Sequence, residues 1–134
     1  MIKNKIIMPK LSRDEKWKRF NKKLEKLMQE NDFFRLATTY YEMANFLEEE
    51  GKNGERLRKL GYQIKLKIQV KDLERFKETD KVEVITCREA SCDACRKLDD
   101  RVFLVKEAKE KRILSVEECT YKCGCRCVYA PYIE

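Results

Sequence analysis

The chain has 134 residues, with 31 Lys and Arg against 24 Asp and Glu, a net charge of +7, seven cysteines and no histidine. That length suits one ordinary domain or two small modules rather than a large enzyme core. Without an imidazole, Ser-His and Cys-His pairs, His-ligated metals and a His general base are all excluded.

Charged residues make up 41% of the chain, well above the roughly 25% of typical domains. Six Phe, six Tyr and one Trp still leave enough aromatic surface to bury to argue against disorder throughout. No apolar run approaches the ~18 residues of a membrane span. Met1 to Met8 mixes Lys3 and Lys5 with isoleucines and lacks the long apolar stretch of a signal peptide. The expectation is a cytoplasmic, reducing setting, where clustered cysteines signify metal or redox chemistry rather than disulfides.

In chain order, Ser12 is placed to cap a first helix, with Asp14 and Glu15 where the helix dipole favours acids. Trp17, Phe20, Leu24, Leu27 and Met28 recur at helical spacing to about residue 30. Asp32 caps a second helix with the stripe Phe33, Leu36, Ala37, Tyr40, Ala44 and Leu47, ended by Gly51 and the Asn53-Gly54 pair. The stretch Phe33-x-x-Leu36-Ala37-x-x-Tyr40 resembles the first helix of a tetratricopeptide repeat, though one unit is not a solenoid. A third helix is expected over about 55–78, carrying Leu57, Leu60, Ile64, Ile68, Leu73 and Phe76. Ile64, Leu66, Ile68 and Val70 also alternate with polar residues as in a strand. Helix is preferred because the flanks are rich in helix formers and no turn signal brackets the run.

After Asp80 the pattern changes. Val82-Glu83-Val84-Ile85-Thr86 and Val102-Phe103-Leu104-Val105 read as strands, and all seven cysteines lie between Cys87 and Cys127. The fold expected is α+β: an N-terminal helical hairpin or three-helix bundle (1–80), tetratricopeptide-like or plain, then a small zinc-stabilised β-rich module (81–134). Basic charge is concentrated in residues 1–31, where ten basic side chains face four acidic ones.

Two cysteines separated by two residues can face one ion across a tight turn, and a second pair some way along completes a tetrahedron. Cys92-Asp93-Ala94-Cys95 supplies the first pair, and Cys119, Cys123, Cys125 and Cys127 lie downstream. If extended, Cys123 to Cys127 would put three thiols on one face. Cys92, Cys95, Cys119, Cys125 and Cys127 are therefore the candidate metal ligands, four of them for one ion. Cys87 is read as a buried hydrophobe and Cys123 as a spare or alternate ligand. Zinc suits soft, tetrahedral sulfur without redox demand, and in small zinc-dependent peptides it contributes on the order of 10–16 kcal/mol to folding. An iron–sulfur cluster accepts the same ligands. A disulfide framework is disfavoured by the odd count, and a thioredoxin-like pair needs a strand-helix-strand unit that the sequence does not announce.

Cys92-x-x-Cys95-x-x-Leu98-Asp99-Asp100-Arg101-Val102-Phe103, followed by Cys125-Arg126-Cys127, resembles the cysteine-rich tail of phage Mu protein F-like minor head proteins. There Cys-x-x-Cys precedes Leu-Asp-Gly-Lys-x-Phe, a His and a Cys-Arg-Cys. Cys125-Arg126-Cys127-Val128-Tyr129 is similar also to small bacterial proteins ending in Cys-x-Cys-x-Tyr. The resemblance spans roughly residues 87–132 and implies a metal-binding module. Asp100 stands where Gly is usual, and Cys119 and Cys123 where the pattern has a His.

No catalytic constellation is visible; Asp99-Asp100 reads as a turn rather than a paired acid site. The function expected is a non-enzymatic zinc-binding interaction or scaffold protein with a protein partner and no membrane. The alternative is nucleic-acid binding through the basic first helix, Trp17 and Phe20, with Arg88, Arg96, Arg101 and Arg126 around the cysteines.

Overall fold

The computed structural model describes residues 12–76, 80–87 and 91–133. Helix α1 (Arg13–Gln29) begins at a reciprocal capping box. The Glu15 N–H donates to Ser12 Oγ at 3.2 Å, and the Ser12 N–H donates to the Glu15 carboxylate at 3.4 Å. Helix α2 (Phe33–Glu49) starts at Asp32, whose Oδ1 accepts from the Arg35 N–H. Helix α3 (Glu55–Asp72) runs on into a 3-10 turn at Leu73–Arg75. The alternating run from Ile64 to Val70 is thus helical, and the far end expected for this helix, at 77 and 78, lies outside the described residues.

Helix α2 is the middle of three, packed on α1 and on α3. Its buried residues are Leu36, Ala37, Thr39, Tyr41, Met43 and Ala44. That set is wider than the expected stripe: Tyr41 is buried, Tyr40 is half-buried, and Phe33 is exposed. A helix covered on two sides needs more than one apolar stripe. Trp17 and Phe20 of α1 pack on Phe46 of α2, with ring centroids 6.2 and 5.8 Å away.

Beyond the helices, β1 (Lys81–Ile85), β2 (Val102–Leu104) and β3 (Val128–Pro131) form an antiparallel sheet in the order β2-β1-β3. Val82 lies opposite Phe103 and Val84 opposite Tyr129, all four buried on the inner face. Ile85, Val102, Leu104 and Val128 are exposed. Leu73 and Phe76 join Val82, Val84, Phe103, Leu114, Tyr129 and three cysteines in one buried cluster. Side-chain packing therefore runs across residue 80.

Three local expectations are corrected. Val105 does not extend β2 but opens a short helix, α5 (Val105–Lys111). Cys123 to Cys127 is not a strand: Gly124 takes φ +85, and β3 begins only at Val128. Cys87 is exposed rather than buried. Asp99 and Asp100 do sit in a turn, where Asp99 Oδ1 accepts from Thr86 Oγ1 at 2.8 Å and Asp100 has φ +62.

Candidate metal centre

Cys92 caps a one-turn helix, α4 (Asp93–Arg96), and Cys95 lies within it. Residues three apart on a helical turn project to the same side, which brings the two thiols together. This turn lies between β1 and β2, but those strands are antiparallel, unlike the parallel pair of a thioredoxin-like unit. Cys119, Cys125 and Cys127 come from the irregular segment between α5 and β3.

The sulfurs of Cys92, Cys95 and Cys119 lie within 4.8 Å of one another, as do those of Cys95, Cys125 and Cys127. Cys95 belongs to both groups, and its Sγ is 3.9 Å from that of Cys125. The second group is deeply buried, with Cys95 2%, Cys125 5% and Cys127 1% exposed, whereas Cys92 and Cys119 are half-buried. The five candidate ligands chosen from spacing thus fall into two triads joined at Cys95. Cys87 and Cys123 stand apart from both groups. The Cys87 N–H donates to Ser91 Oγ at 2.8 Å, and Cys123 uses its carbonyl rather than its sulfur, as described below.

So dense a set of thiols cannot all ionise without a cation between them. The Cys125 thiol is pulled down to about 5, chiefly by the hydrogen bond from Cys127, against the opposing effect of burial. Burial pushes Cys92 up, but hydrogen bonds from the Cys95 and Thr120 backbone and from the Cys95 and Cys119 thiols outweigh it, leaving it at about 7. Burial and the Cys125 charge push Cys95 well up; the Cys125 hydrogen bond and burial do the same to Cys127. Burial also raises Cys119. Each stabilised thiolate relies on a neighbour that keeps its proton, a function a bound cation would take over.

The helices grip this segment by its backbone. Asn45 Nδ2 and Arg58 Nη1 donate to the Lys122 carbonyl at 3.2 and 3.3 Å. Lys65 Nζ donates to the carbonyls of Cys123 at 2.6 Å and Cys125 at 3.3 Å, and Gln69 Nε2 to that of Cys127 at 2.9 Å. Lys65 is buried, with its ammonium over the rings of Tyr41 and Phe34. Burial lowers its pKa, opposed by the nearby Cys125, Cys123 and Cys119. The Tyr41 ring fills the space between Gly61 and Gly124: a Cβ on either would lie under 3 Å from it. Sequence reasoning missed this grip because it sought apolar stripes. The signal was present, since Arg58, Gly61, Lys65 and Gln69 fall on one helical face.

The basic and aromatic residues of the alternative reading are placed as follows. Trp17 and Phe20 are engaged with Phe46, Arg96 pairs with Asp93, Arg101 lies over Phe103, and Arg126 stacks 3.9 Å from the Tyr121 ring centroid. Arg88 lies outside the described residues. Among the described residues no helix is long and apolar enough to cross a membrane. Comparison with family models, curated proteins and solved structures finds no match to this chain.

Proposed function

We propose that this chain is a non-enzymatic zinc-binding protein in which metal held by the cysteines fixes a small module for interaction with a protein partner. The convergence of five thiols from distant stretches carries the reading. Thiolates select soft or borderline cations, and zinc meets them without redox chemistry. The resemblance to the tails of phage Mu protein F-like head proteins supports it: Asp100, standing where that pattern has Gly, takes a left-handed φ of +62 that Gly adopts freely. Exposed Phe33 and Phe34 at the start of α2, beside Ile68 and Phe76, supply apolar surface of the kind protein partners cover.

Elemental analysis of the reduced, purified protein tests the metal reading, with stoichiometric zinc as the expected result. Iron in its place, or neither metal, would overturn it. A nucleic-acid role would need the cations of α1, since Trp17 and Phe20 are occupied in packing. Early elution from heparin as salt rises is the expected behaviour, and retention to high salt would favour that role instead.

A further inference from the structure

The five sulfurs are not disposed as four around one point. They form two triads that share a corner at Cys95, and among the described residues no group of four meets the same 4.8 Å separation. A tetrahedral zinc with sulfur at about 2.3 Å sets every sulfur–sulfur separation near about 3.8 Å. Any four of these five sulfurs draw on both triads. A single ion would therefore need sulfurs on opposite sides of Cys95 to close by about 1 Å or more. Within the buried triad the spacing already suits an ion, since Cys95 and Cys125 are 3.9 Å apart.

Resting on the metal-binding reading above, we propose that the cluster is a two-ion centre bridged by the Cys95 thiolate. Cys92 and Cys119 complete the protein ligands of one divalent cation, and Cys125 and Cys127 those of the other. Thiolate sulfur keeps lone pairs enough to bind two cations at once. Each ion then has three protein sulfurs and one position left for a solvent molecule or small anion. Charge favours this count. Two divalent ions against five thiolates leave a single negative charge, matched by the buried ammonium of Lys65, the one such group beside the cluster among the described residues. One divalent ion against four thiolates leaves two, with the fifth sulfur idle. Burial makes the two positions unequal. The Cys125 and Cys127 side is closed to solvent, whereas Cys92 and Cys119 are half-buried, so the second ion exchanges faster.

The test is titration of the reduced, metal-free full chain with cadmium, read by native mass spectrometry and by cadmium-113 NMR. The expected result is two ions per chain and two resonances, both correlated to the β-protons of Cys95. Cys119→Ser should retain one ion, Cys123→Ser both, and a chelator should remove the ions in two separated steps. Saturation at one ion, unchanged in Cys119→Ser, would overturn the bridged centre while leaving the metal reading standing. No bound cadmium at all would overturn both.

Discussion

Gly124 and Gly51 offer a matched pair of perturbations. Both have positive φ, +85 and +76, but a Cβ on Gly51 would meet nothing within 4 Å, whereas one on Gly124 would lie 2.6 Å from Tyr41 Cζ. An alanine in the left-handed region costs about 1–2 kcal/mol, so Gly51→Ala should lose that and no more. Gly124→Ala should add an overpacking cost of about 1–3 kcal/mol. Gly61 limits how far the Tyr41 ring can retreat, since a Cβ there would lie 2.8 Å from it. Urea denaturation of the purified protein, followed by helical circular dichroism, measures both losses. Tyr41→Leu placed in the Gly124→Ala background should return about 1 kcal/mol as a coupling energy. Equal losses in the two alanine variants, or no return from the double variant, would refute the role given to this contact.

Other outcomes are open to measurement. Lys65→Met keeps the length of the aliphatic stem but strips the donors from two carbonyls, a loss of about 2–4 kcal/mol in urea that exceeds what the removed buried charge gives back. On the proposed metal-binding reading, the same variant should also weaken metal binding in a chelator competition. Arg112 closes α5 with φ +49, so Arg112→Gly should gain about 1 kcal/mol in the same denaturation assay. Glu48 is held below its ordinary 4.5 by the hydrogen bond from Arg58, so the pair's stabilisation is complete above that pH and drains away as acid protonates the carboxylate. Stability of Glu48→Gln measured down to about pH 3 should accordingly fall less steeply than that of the parent.

The helices and their starts were legible because capping chemistry is local: Ser12 with Glu15, and Asp32 with Arg35, need only four consecutive residues. The meeting of Cys92, Cys95, Cys119, Cys125 and Cys127 was legible because thiol spacing constrains geometry whatever the surrounding fold. What escaped depended on distant partners. β3 is four residues long and gains its identity only by pairing with β1. The glycine that turns the chain between Cys123 and Cys125 has no strand alternative once its φ is +85. Tyr41 replaced Tyr40 in the core because α2 is covered by α1, by α3 and by the cysteine segment together. Lys65 read as surface charge, for nothing local shows that its ammonium meets carbonyls 58 and 60 residues away.

Those long spans bear on how the molecule comes into being. Until residues 123–131 are made, Lys65 and Gln69 have no carbonyls to hold and β1 has no partner on its β3 side. Helices can form early from local contacts, but residues 122–131, made after them, bring the cysteine segment's backbone to α3 and supply the second edge of the sheet. A nascent chain halted near residue 120 would lack more than β3: α3 would be left with donors and nothing to receive them.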